Sequence, residues 1–198
     1  MNSQLLIRAI PPYTEALSRA TEQEKVEAIA RFSTESRRAE WLTWRSVVRE
    51  IAGDQVRIEY NPCGAPEGHS ENHILYIGVS HCRGRVAVAV SERPCGVDIE
   101  WSDRNFERAA TKYLSNEERA MERIHPERMC GAVWCAKEAV YKYFSAQGRK
   151  YPDFLNDIRV ISSELAAGRM YVAAGDEPIV EVHIEWSDEG LIVASTGI

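Results

Sequence analysis

The chain has 198 residues, enough for one sizeable core or for two small lobes that share one. Thirty acidic against 24 basic residues leave a net charge of -6, which argues against a general nucleic-acid binder. No apolar stretch approaches membrane-spanning length and no signal-peptide layout precedes the first motifs. The cysteines, Cys63, Cys82, Cys95, Cys130 and Cys135, are odd in number and form no Cys-x-x-Cys pair, so a disulfide framework or zinc site is not expected, and free thiols suit the cytoplasm.

Thr21 and Glu24 have capping-box spacing, and a helix is predicted to follow to about Arg31. A longer helix is predicted from Glu35 to Ala52, with Trp41, Trp44, Val48 and Ile51 as its apolar stripe and Gly53 as its stop. Arg31, Arg37, Arg38, Arg45 and Arg49 crowd this region. Arg38 and Arg45 are seven apart and share a face, which reads either as solvated basic ground or as phosphate contact. Residues Asn61 to Asn72 are rich in Pro, Gly and polar side chains and read as a loop. Strands are predicted over Ile74 to Ser80, Val86 to Val90 and Gly96 to Glu100, the first two joined by a hairpin at Cys82 to Arg85. Ser115-Asn-Glu-Glu118 opens a further helix and a main helix spans roughly Met129 to Phe144. Strands return at Ile158 to Ile161, Met170 to Ala173, Ile179 to Trp186 and Leu191 to Ser195, with a hairpin turn at Ser187 to Gly190. Helices followed by strands, twice over, predict an α+β fold of two similar lobes, here residues 1–100 and 101–198, with chemistry in the cleft between them.

The chemistry is concentrated in two segments. In the strand Gly96-Val-Asp98-Ile-Glu100, the two acids point the same way while Val97 and Ile99 mark the opposite face as core. In the helical run from Trp134 to Lys142, the residues Trp134, Glu138 and Lys142 fall on one stripe. Packed together, the segments would bring three carboxylates and an ammonium to one place, a grouping suited to Mg2+ and phosphate oxygens. The bland alternatives are a solvent-facing strand edge for the acids and a surface ion pair for Glu138 and Lys142. Glu118 has two readings of equal weight, a helix cap or a catalytic base. His81, at a strand end beside Arg83 and Arg85, is either structural or a phosphate contact. The other histidines, His69, His73, His125 and His183, show no metal-ligand spacing.

Taken in order, these pieces resemble the 4'-phosphopantetheinyl transferase superfamily, and within it the Sfp-type members. Five motifs carry the resemblance: Gly64-Ala65-Pro66, Gly78-Val-Ser80-His81, Gly96 to Glu100, Leu114-Ser115-x-x-Glu118, and Trp134-x-x-Lys137-Glu138-x-x-x-Lys142. The stretch from Arg37 to Arg45 is similar to the arginine-bearing helix of such enzymes, so the likeness runs from about Arg37 to Lys142. Each motif is weak alone, and the five in order are specific. Two departures stand out: Ala65 replaces a common Lys, so that one cationic contact is either missing or supplied by Arg83 or Arg85, and Leu114 replaces the usual Phe.

The resemblance implies a pseudo-dimer of two α/β lobes in one chain and a monomer. It implies transfer of the phosphopantetheine arm of coenzyme A to a serine of an apo acyl or peptidyl carrier protein, with release of adenosine 3',5'-bisphosphate. Carried over residue by residue, it makes Asp98, Glu100 and Glu138 ligands of Mg2+, with Mn2+ equally suited to oxygen donors. It makes Glu118 the base toward the serine, Lys142 a stabiliser of phosphate charge, and Ser80, His81, Arg38, Arg45 and Lys142 contacts to coenzyme A. Lys137 receives no catalytic step. Basic ground for an acidic carrier is expected near Lys112, Arg119 and Arg123. Two other classes stay in view: a non-catalytic coenzyme A- or carrier-binding protein of the same fold, and a metal-dependent phosphodiesterase.

Overall fold

The computed structural model describes residues 3–70, 73–122, 126–151 and 153–198. The chain runs through β1 (Gln4–Ala9), α1 (Tyr13–Ser18), α2 (Glu22–Arg31), α3 (Glu35–Ala52), β2 (Arg57–Tyr60), β3 (Pro66–His69), β4 (Ile74–Cys82) and β5 (Arg85–Ser91). It continues through β6 (Gly96–Trp101), α4 (Glu107–Tyr113), α5 (Asn116–Glu122), α6 (Pro126–Ala146), α7 (Phe154–Asp157), β7 (Ile158–Glu164), β8 (Arg169–Ala174), β9 (Val180–Trp186) and β10 (Leu191–Thr196).

Two five-stranded antiparallel sheets result, in the orders β1-β5-β4-β3-β2 and β6-β10-β9-β8-β7. Each half of the chain repeats one plan. A strand is laid down, helices follow, a four-stranded meander is built, and its last strand returns beside the first. This is the expected α+β architecture, with β1 added at the head of the first half and the expected strand β6 heading the second. Sheet membership changes between Ser91 and Gly96, so β6, which a division at residue 100 would leave with the first lobe, hydrogen-bonds within the second sheet.

Composition decides which way each strand faces. In β5, Val86, Val88 and Val90 enter a first core with Trp41, Leu42, Trp44 and Val48 of α3. The intervening Ala87 and Ala89 face the other way, into a seam with Val97, Ile99, Leu191 and Val193 from the second sheet. Valine on one side and alanine on the other is the period-2 rule of a strand buried on both faces. The small residues let the two sheets approach closely. A second core gathers under α6, where Ala132, Val133, Ala136 and Val140 pack against Val160, Met170, Val182 and Ile184.

Gly96 marks the closest approach. A Cβ there would collide with the Ala139 carbonyl oxygen and stand 2.8 Å from the Tyr143 backbone nitrogen, so only glycine lets α6 lie on β6 at this height. The stretch read as a loop from Asn61 to Asn72 contains β3, which pairs with both β2 and β4; Ser70 lies beyond it, and residues 71 and 72 lie outside the described residues. Pro66 and Gly68 obscured that strand, although Pro66 is its first residue, where proline is tolerated. Arg123 and His125 also lie outside the described residues. Among the described residues, no helix is long and apolar enough to cross a membrane.

Candidate functional site

Strand alternation turns Gly96, Asp98 and Glu100 toward α6, while Val97 and Ile99 are buried in the seam. On α6, Cys135, Glu138 and Lys142 follow each other at helical spacing along the facing stripe. Lys142 Nζ donates to Asp98 Oδ1 at 2.7 Å and to the Val97 carbonyl at 3.1 Å. Ser80, at the end of β4 in the other sheet, donates its hydroxyl to the same Asp98 oxygen at 2.7 Å and accepts from the Ile99 N–H at 3.2 Å. Ser80, Asp98 and Lys142 thus meet where the two lobes join.

Asp98 is buried, and its second oxygen, Oδ2, has no hydrogen-bond partner among the described residues. The Cys135 thiol stands beside this carboxylate; burial first, and then Asp98, push it well above the usual thiol range, so it stays protonated. A thiol is only a weak donor. A buried carboxylate oxygen without a strong donor is costly unless a cation meets it. Burial also pushes the Glu138 carboxyl above the ordinary glutamate value, with Asp98 adding to the rise and Lys142 and Arg104 opposing it. Two carboxylates in electrostatic reach of one another, one of them with an unused oxygen, suit a hard divalent ion.

Glu100 is only partly buried and is engaged by Arg104, which also stands 5.2 Å from the Trp134 ring. In this arrangement no three His, Cys, Asp or Glu side chains among the described residues are close enough to hold an ion together. The three expected ligands are therefore not gathered around one point in this arrangement, Glu100 being turned to an arginine rather than to its fellow acids.

A cleft of about 940 Å³ opens beside this cluster. Glu100 and Arg104 form one wall, and His81, Glu40, Ala39 and Tyr13 the other. His81 is 41% exposed, and its Nε2 stands 3.2 Å from Glu40 Oε1. Burial lowers the His81 pKa below the usual imidazole value, against Glu40, which raises it. Arg37 Nη1 donates to the same Glu40 oxygen at 2.8 Å. The sequence pointed to His81 but not to Arg37 or Glu40. Their i,i+3 spacing on a predicted helix was the available signal, and it does not say that the pair faces a histidine from a distant strand.

A smaller hollow of about 200 Å³ lies between Gly64-Ala65-Pro66 and Lys142. Asn61 shapes it. Its side-chain oxygen accepts from the N–H groups of Cys63 and Ala65 at 2.9 and 3.1 Å, and its amide donates to the Ser145 carbonyl at the end of α6 at 2.9 Å. Gly64 makes the turn with φ +82°, a conformation that favours glycine.

Three expected site residues have other positions. Arg45 is buried, stacked 4.2 Å from the Trp41 ring and 3.3 Å from Glu24 Oε1, so its guanidinium belongs to the α2–α3 packing and not to a ligand surface. Ser80 is buried with its hydroxyl engaged by Asp98 and Ile99, which makes it a support of the carboxylate rather than a contact open to coenzyme A. Glu118 has no exposed surface. Its Oε2 accepts from the Ser115 N–H at 2.7 Å and lies 3.0 Å from Lys137 Nζ, while Oε1 accepts from the Val160 N–H at 2.8 Å. The Glu118 N–H in turn donates to the Ser115 hydroxyl at 3.2 Å, completing a capping box. In this arrangement the carboxylate completes the cap and presents no exposed oxygen.

Arg38 is half buried, with its Nε on the Phe32 carbonyl at 2.8 Å, and its guanidinium carbon is 5.9 Å from the Tyr13 ring at the cleft. Lys112 is exposed and Arg119 half-buried, on α4 and α5.

Comparison with curated proteins finds no match. The family model of the 4'-phosphopantetheinyl transferase superfamily matches residues 94–194, which takes in β6 with Asp98 and Glu100, α6 with Glu138 and Lys142, and the second sheet up to Ala194 in β10. By that match over half its length, the chain belongs to the 4'-phosphopantetheinyl transferase superfamily.

Proposed function

We propose that this protein moves the 4'-phosphopantetheine arm of coenzyme A onto a serine of an apo carrier protein in a Mg2+-dependent reaction, releasing adenosine 3',5'-bisphosphate. The observation that carries the reading is the buried Asp98 carboxylate, steadied on one oxygen by Ser80 and Lys142 and left without a strong partner on the other, at the seam beside a 940 Å³ cleft.

Asp98, Glu100 and Glu138 would hold the cation, Glu100 exchanging Arg104 for it. Bound there, Mg2+ would neutralise the diphosphate and orient it for in-line attack; Mn2+ would serve the same donors. Lys142 fixes the rotamer of Asp98 and offers its remaining proton to phosphate oxygens as charge builds on the leaving group. His81 and Arg37, with Arg38 behind them, meet the phosphate of the nucleotide end at the cleft wall. With Glu138 committed to the cation as a carboxylate, the serine proton leaves through water at the site. Glu118 takes no part in that transfer. Instead it ties α5, α6 and β7 together so that Glu138 and Lys142 are held at their height over β6.

The protein is acidic overall, so an acidic carrier must dock on local basic ground, for which Lys112 and Arg119 are the candidates. The test is intact-mass spectrometry of an apo acyl carrier protein incubated with this protein, coenzyme A and Mg2+. A gain of one phosphopantetheine arm, abolished by Asp98→Ala and by EDTA, is expected. No gain on several unrelated apo carriers, with coenzyme A binding demonstrated, would move the protein to a non-catalytic binding role.

A further inference from the structure

One oxygen of Glu40 faces two nitrogen groups from unrelated elements. Arg37, a turn earlier on α3, donates to Oε1 at 2.8 Å, and His81, at the end of β4, stands 3.2 Å from it. The acid lies deeper than its partners: the Glu40 side chain is 16% exposed, against 52% for Arg37 and 41% for His81. All of this happens at the wall of the 940 Å³ cleft, to which Glu40 and His81 both contribute. Carboxylate and phosphate oxygens are equivalent acceptors for a guanidinium and an imidazole N–H. The arrangement is thus an anion receptor already occupied by an anion of the protein's own.

We propose that Glu40 is a resident anion in a phosphate seat formed by Arg37 and His81, and that a phosphate-bearing ligand binds by displacing it. That the ligand is coenzyme A rests on the function proposed above; the seat itself rests on the Arg37–Glu40–His81 geometry.

Two consequences follow. Before any ligand arrives, Glu40 holds Arg37 and His81 aimed at a common point, so these two side chains need no reordering when the exchange happens. The exchange also sets a charge threshold. A phosphate monoester, carrying up to two negative charges, gains more from the Arg37 guanidinium and the His81 imidazole than the single charge of the carboxylate it replaces. A singly charged or neutral group gains little. Glu40 is in this sense a specificity-determining residue, trading absolute affinity for discrimination by charge. The sign separates this from the plainer possibility that Glu40 merely orients His81. An orienting residue strengthens ligand binding, and its removal weakens it. A competitor weakens ligand binding, and its removal strengthens it.

The experiment compares the full-length protein with Glu40→Gln, Glu40→Ala and Glu35→Gln. Glu35 also lines the cleft, but neither Arg37 nor His81 is bonded to it among the described residues, so it controls for the general loss of negative charge. Inorganic phosphate is titrated while the His81 imidazole resonance is followed by NMR, and coenzyme A is titrated by calorimetry, with melting temperatures confirming the folded state. Glu40→Gln and Glu40→Ala are expected to bind both probes about tenfold more tightly, the scale of coupling between competing groups, with Glu35→Gln changing less than about twofold. Unchanged or weaker binding by both Glu40 variants overturns the proposal, as does an equal gain in Glu35→Gln. If phosphate binding tightens as expected but no form of the protein binds coenzyme A, the seat stands and the coenzyme A reading falls.

Discussion

Replacing Glu118 by Gln separates the two roles that its position in the sequence allows. The carboxylate receives the Ser115 and Val160 N–H groups at 2.7 and 2.8 Å and the Lys137 ammonium at 3.0 Å, and no part of it is exposed. Glutamine keeps one acceptor oxygen and turns the other into an NH2 group. In either orientation a backbone N–H is left facing a donor. Lys137 meanwhile loses the Glu118 counter-charge and keeps the Tyr113 carbonyl at 2.6 Å as a neutral partner. Breaking a buried ion pair from one side costs about 3–5 kcal/mol. In a chain of this length each kcal/mol moves the melting temperature by about 2–4 °C, so Glu118→Gln is expected to melt ~6–20 °C lower. Urea unfolding should show the midpoint falling with an unchanged slope. Pairing Glu118→Gln with Lys137→Met, which removes the stranded charge, should cost less than the sum of the two single changes. The reasoning is refuted if Glu118→Gln unfolds within about 1 kcal/mol of the parent while its turnover collapses, because a carboxylate with that signature moves protons rather than holding helices.

Arg45→Lys should lower stability by about 1–3 kcal/mol through loss of the Trp41 stack and the Glu24 contact, yet leave coenzyme A affinity within twofold by calorimetry, since the guanidinium is buried away from the cleft. Mg2+ at 100 times its dissociation constant should raise the stability of the parent by about 2.7 kcal/mol, and Asp98→Asn should abolish that rise in a thermal melt. The Glu138 carboxyl is raised by burial, so its folded state favours the proton: the stability it contributes is full below the unfolded value of 4.5 and is lost as pH rises through the higher folded value. In EDTA, Glu138→Gln should therefore melt above the parent at neutral pH, with the gap closing below pH 4.5; a gap that persists there contradicts the assignment.

The long elements were legible because their signals are redundant. α3 carries a tryptophan- and valine-rich stripe between Thr34 as its cap and Gly53 as its stop, and the β4–β5 hairpin has strands buried on both sides of a short turn. β1 was missed because it is an edge strand with both faces only half covered, so its residues show no alternation. β2 and β3 have four residues each, and α4 buries only Ala110 and Tyr113, too few for a period to register. At the site, the convergence of Asp98 with Lys142 could be read from a strand and a helix that each keep one face. Arg45 and Ser80 could not be placed, since a residue's spacing on a helix or strand does not reveal whether that face meets solvent or another element. Glu40 was invisible for the same reason, its partner His81 arriving from a strand some forty residues later.

The Asp98 cluster draws Ser80 from the first sheet and Lys142 from the helix that covers the second. Neither half of the chain contains it alone. During synthesis the first lobe can close its core before β6 emerges, and the second can then form around α6, yet Asp98 acquires both of its partners only when the two halves dock. The completed site is thus the last thing the molecule acquires. The three carboxylates proposed to hold the cation, and Lys142, all lie in the second half, so along a refolding reaction Mg2+ affinity would report the folding of that half, whereas the Ser80 support of Asp98 and the His81 wall of the cleft arrive only when the halves dock.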